Sequence, residues 1–119
     1  MKVLKIEPGK PPEPTEIEHT LKTLQTAVGG SIQIVYPFDD PVALICNEEG
    51  KFEGLPWNRV LYDGAGYPYD VIAGTFLITG LWAFDLEDLS DELAEKYAEV
   101  FKKTNEIVVL GGRIYEMGV

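Results

Sequence analysis

Apolar and polar positions change their spacing several times along the chain, and each change marks an element. Residues 2–6, KVLKI, read as a strand ending at Glu7-Pro8-Gly9. The proline-dense PGKPPEP that follows continues neither regular structure, because proline lacks an N–H and fixes φ, so a stiff connector is expected there. Thr15 then opens a capping-box pattern with Glu18, and Ile17, Leu21, Leu24 and Val28 recur on one helical face before Gly29-Gly30 stops the helix. Residues 31–38, SIQIVYPF, put Ile32, Ile34, Tyr36 and Phe38 on one side of a strand, with Pro37 at its exposed end.

A second apolar run, VALIC, begins after Pro41, and Asn47-Glu48-Glu49-Gly50 reads as a hairpin turn returning through Lys51 to Leu55. Asp63 to Gly66 is a loop. Residues 71–80, VIAGTFLITG, read as one central strand in which Gly74 marks a bulge or a close backbone approach. A second helix is expected from Asp88 or Ser90, burying Leu93, Tyr97, Val100 and Phe101, and IVVLGGRIYEM closes the chain as a strand or short hairpin. These elements predict an α+β fold, a mixed or antiparallel sheet of about four to six strands covered by two amphipathic helices. At 119 residues a single domain over 1–119 is expected, without internal repeats.

Composition narrows the function classes. The chain is 45% apolar and 25% charged, which suits a globular core that folds without a cofactor. One cysteine and one histidine exclude an internal disulfide framework and the usual Cys/His zinc sets, and point to the reducing cytosol. The opening MKVLKIEPG does not read as a signal peptide, and about 18 apolar residues never run together, so a soluble protein is expected. A formal charge of −10 repels phosphate backbones and anionic lipid, which argues against direct nucleic-acid or membrane binding. The same field attracts a partner with a basic surface.

Chemical motifs are sparse. Gly29-Gly30-Ser31 follows a helix and leads into a strand, the reverse of a phosphate-binding loop, and Gly64-Ala65-Gly66 lacks dinucleotide-binding context. Cys46 ends an apolar run far from the only histidine and reads as a buried thiol, while His19 falls off the apolar stripe of the first helix. Asp39-Asp40 and Glu48-Glu49 flank one predicted strand and have the hard oxygen ligands a divalent ion takes. A strand of that length separates its ends by roughly 17–20 Å, so turn capping and solvation explain the pairs better, and a metal is not expected.

Leu55-Pro56-Trp57-Asn58-Arg59 is richer, with Tyr62, Tyr67 and Tyr69 close behind. Rigid aromatics and arginine dominate recognition surfaces. Tyr36, Asp39, Asp40, Trp57, Asn58 and Arg59 are therefore the candidate binding residues, with the alternative that Arg59 is a structural partner for the many carboxylates.

MKVLKIEPG, VYPFDDPVALICNEEGK, LPWNR and IAGTFLITG together resemble the DUF3846 family over roughly residues 1–85. The family comprises small proteins or domains carried by phages, conjugative elements and their Gram-positive gut hosts. The resemblance implies a mobile-element context and supplies no catalytic residues. The leading expectation is a non-catalytic accessory protein, with counter-defence as one role, that meets a protein partner through its acidic surface as a monomer or homodimer. A nucleotide-like small-molecule binder is the alternative, with Arg59 or Arg113 taking the anion and Trp57 or a tyrosine stacking. An enzyme using Asp39, Asp40 and Glu48 beside Asn58 and Arg59 is the third reading.

Overall fold

Side-chain alternation decides how the central sheet is faced. The computed structural model describes residues 1–118. Its main sheet runs β2 (Glu13–Glu16), β1 (Lys2–Ile6), β7 (Phe76–Trp82), β4 (Val42–Asn47) and β3 (Ile32–Val35), every neighbouring pair antiparallel, and β8 (Asp85–Glu87) extends β7. On one face Val3, Ala43, Ile45 and Leu77 join Leu24 of the first helix, α1 (Leu21–Val28). Their neighbours Leu4, Ile6, Val42, Leu44, Cys46, Phe76 and Ile78 point the other way, under Tyr97 and Phe101 from the second helix, α2 (Asp91–Val100), and its end. Strict period-two alternation in strands buried on both faces produces this division.

The architecture is α+β, yet the helices cover only part of the sheet. The rest of the second face is closed by a hairpin that the hydrophobic pattern did not announce, β5 (Trp57–Tyr62) with β6 (Pro68–Ala73), which adds Leu61 and Ile72 to the core. A further hairpin, β9 (Glu106–Leu110) with β10 (Arg113–Met117), ends the described chain beside β5 and β6.

Other boundaries moved for local reasons. Part of the proline-rich connector is β2, an edge strand, where Pro14 loses no ladder bond that the fold needs. Thr15 therefore lies in a strand, and Thr20 caps α1 instead, its Oγ1 accepting from the Thr23 N–H at 3.1 Å. Leu21 consequently turns outward, as Val100 does on α2. Lys51–Gly54 form turns rather than a returning strand, because β4 already has β3 and β7 on its two edges.

Gly74 divides the expected central strand between β6 and β7. Its φ is +79°, and a Cβ there would lie 2.7 Å from Leu55 Cδ1. The β7–β8 turn does without glycine. Ala83 and Phe84 take φ of +47° and +73°, a conformation that costs an L-residue roughly 1–2 kcal/mol.

Candidate functional site

Burial separates the candidate residues into two groups. Asn58 and Arg59 are each only 3% exposed on β5. Asn58 Nδ2 donates to the carbonyls of Ile6 and Gly74, both at 2.8 Å, while its Oδ1 accepts from Arg59 Nη1 at 2.7 Å. Arg59 further donates through Nε to Phe101 O at 2.9 Å, through Nη1 to Asn58 O at 3.1 Å and through Nη2 to Lys10 O at 2.6 Å. The pair ties β5 to the end of β1, to the loop after it, to the β6–β7 junction and to the C-terminal end of α2, where the helix dipole favours a cation.

Asn58 and Arg59, two of the recognition candidates, thus turn most of their polar groups to each other and to backbone carbonyls inside the protein. The carboxylate partners anticipated for Arg59 are likewise replaced by neutral oxygens among the described residues. Burial pushes the guanidinium below its ordinary pKa, and nearby Glu116 opposes the shift. Trp57 stays partly exposed at the start of β5, beside Ala73.

Tyr36, Asp39 and Asp40 lie at the opposite end of the main sheet, where β3 ends and β4 begins. An open groove of about 610 Å³ runs there, lined by Phe38, Asp39, Asp40, Tyr62, Asp63, Tyr69, Lys96 and Tyr97 among others. Tyr36 is exposed just before it. The loop Pro37–Asp40 gives one wall, the tip of the β5–β6 hairpin another, and α2 the third.

Asp40 is the fixed carboxylate of this groove. Its Oδ2 accepts from Lys96 Nζ and from the Tyr97 hydroxyl at 2.6 Å, and these two bonds, Lys96 first, hold its pKa below the usual range. Burial and then Asp40 raise the Tyr97 phenol. The Tyr62 phenol is pushed up to about 12, first by burial and then by its hydrogen bond to Glu116. Asp63 shapes the hairpin tip, accepting from the Ala65 and Tyr67 N–H groups at 2.9 Å. At neutral pH the groove therefore presents the Asp40 carboxylate among the un-ionised phenols of Tyr62, Tyr69 and Tyr97.

The acidic pairs stand at opposite ends of β4, and among the described residues no group of three or more His, Cys, Asp or Glu side chains converges as metal ligands would. Cys46 is buried, and burial raises its pKa. No helix among the described residues is long and apolar enough to cross a membrane.

The family described as a domain of unknown function (DUF3846) matches residues 1–102. The chain belongs to the DUF3846 family. Both the groove and the Asn58–Arg59 network fall within the matched span of this DUF3846 chain, and the terminal hairpin that packs beside them lies beyond it. Lys103, Asn105 and Glu116, beyond that span, line a neighbouring cavity of about 350 Å³ together with Phe38, Arg59 and Tyr62. No curated protein and no solved structure matches the chain.

Tyr62, Asp63, Tyr69 and Lys96 complete the groove. The tyrosines stood out in the sequence as followers of Trp57; their meeting with Asp39 and Asp40 depends on the β5–β6 hairpin. Short-range spacing carries no signal for such a contact.

Proposed function

We propose that this DUF3846 chain is a non-catalytic interaction protein that receives a basic segment of a protein partner in the groove between Pro37–Asp40, the β5–β6 tip and α2. The observation that carries the reading is the meeting of Asp39 and Asp63 with Phe38, Tyr62 and Tyr69 in one open groove, where Lys96 and Tyr97 already hold Asp40, in a chain with formal charge −10. Carboxylates attract a lysine or arginine, and aromatic faces accept its alkyl stem or guanidinium. The family resemblance to mobile-element proteins makes a host protein the partner and counter-defence the role to examine first.

Affinity purification should compare the wild type with the double variant Asp39→Lys/Tyr69→Ala and with Trp57→Ala. The double variant loses a partner that the other two retain. Identical partner lists for wild type and double variant would remove the groove from the account.

A second reading, small-anion binding, is favoured by the cavity of about 350 Å³ that holds Arg59 and Lys103. Glu116 on its wall works against an anion. A thermal-shift series with nucleotides tests this reading, since a ligand at about 100 times its dissociation constant stabilises by roughly 2.7 kcal/mol.

A further inference from the structure

The β7–β8 turn combines two features that folding alone does not reward. Trp82 is 73% exposed and Phe84 is fully exposed. Ala83 and Phe84 also adopt positive φ, where Asn-Gly would sit without strain. Trp82 faces Asp85 across the turn, so the four residues Trp82 to Asp85 form a two-residue-loop hairpin tip. The tip is anchored behind: Gly80 seats against the Asp88 carbonyl so closely that a Cβ would come within 2.3 Å.

Its place in the fold connects it to the groove. Leu81 N–H donates to Pro41 O at 2.9 Å, and Val42 pairs with Gly80, so the tip and the Asp39–Asp40 loop occupy the same end of the main sheet. Asp85, Glu87 and Asp88 follow the exposed aromatics directly, and all three are exposed. His19 Nε2 lies 4.0 Å from Asp85 Oδ1.

We infer that the Trp82–Phe84 tip is an apolar anchor that inserts into an apolar pocket with a basic rim on a protein partner. The acidic flank selects this occupant. An anionic lipid surface and the same end of a second copy would both meet like charge, whereas a Lys/Arg rim is complementary. The inference rests on the protein-partner reading above and adds a second contact to it.

The test places the photo-crosslinker p-benzoylphenylalanine at position 84 of the full chain in a Gram-positive bacterial cell, identifies the adduct, and purifies the adducted protein. Its affinity is then measured by calorimetry for wild type, Phe84→Asn, Trp82→Ala and Asp39→Lys/Tyr69→Ala. The expected result is a protein adduct whose affinity falls at least tenfold with Phe84→Asn and with Trp82→Ala, while the melting temperature of Phe84→Asn is no lower than that of the wild type because asparagine suits the left-handed backbone.

Four outcomes would overturn the inference: no protein adduct, an adduct to a second copy, wild-type affinity in Phe84→Asn, or Trp82 emission that shifts on phosphatidylglycerol vesicles. The two readings separate cleanly. Loss in Asp39→Lys/Tyr69→Ala alone keeps the groove and rejects the tip, and loss in the tip variants alone does the reverse.

Discussion

Replacing Arg59 with leucine tests whether the Asn58–Arg59 pair holds the fold. The substitution removes the donors to Phe101 O, Asn58 O, Asn58 Oδ1 and Lys10 O. A buried acceptor left without a partner costs about 1–3 kcal/mol. Part of that cost is returned because the guanidinium no longer has to be desolvated, an effective penalty of several kcal/mol. Four acceptors at that cost, less the part returned, leave an expected net loss of about 3–5 kcal/mol. At about 0.05–0.15 kcal/mol per residue, a chain of 119 residues has about 6–18 kcal/mol in all, so the variant is marginal.

Urea unfolding reads the effect directly. With a slope of about 1.5 kcal/mol/M the midpoint falls by about 2–3 M. Because the partners are neutral carbonyls, the loss should hardly change between low and high salt, unlike that of an exposed ion pair. Arg59→Lys, which keeps the charge without the fork of donors, should lose nearly as much. A loss below about 1 kcal/mol for Arg59→Leu would refute the structural role and return Arg59 to the binding candidates.

Gly74→Ala should cost about 2–4 kcal/mol, from its positive φ and the contact with Leu55, and a melting curve near that of the wild type would show that the β6–β7 junction tolerates a side chain. Thr79 is fully buried, and its Oγ1 has no hydrogen-bond partner among the described residues, so Thr79→Val should stabilise by about 1 kcal/mol in urea unfolding. Asp40 has a folded pKa below its ordinary value of 3.8, so its contribution is present above that pH and is lost as pH falls through the folded value. The difference in melting temperature between wild type and Asp40→Asn should therefore be full at neutral pH and vanish in strong acid; a constant difference would contradict the Lys96–Tyr97 contact.

The buried strands were legible because β1, β4 and β7 are dense in apolar residues, and of the two starts expected for α2, Asp88 or Ser90, Ser90 is its cap. The β5–β6 hairpin was not legible. Its first strand, WNRVLY, buries an asparagine and an arginine, residue types that pattern reading sends to solvent unless a partner network is known in advance. The capping box at Thr15 misled for a related reason, since pairing with β1 outweighed a local helix signal. Asp39 and Asp40 were singled out from sequence as candidates, but the groove around them depends on contacts with Tyr62, Tyr69 and Lys96 from distant elements. The β7–β8 turn escaped notice because it contains neither glycine nor asparagine.

The most direct measurement of the central claim is an amide-resolved NMR titration of the chain with an octa-arginine peptide at low and moderate salt. Chemical-shift changes are expected to cluster at Asp39, Asp40, Tyr62, Asp63, Tyr69 and Lys96, to saturate, and to weaken as salt rises. Changes spread evenly over the acidic surface, or centred on Trp57, would contradict a groove built to receive a basic segment.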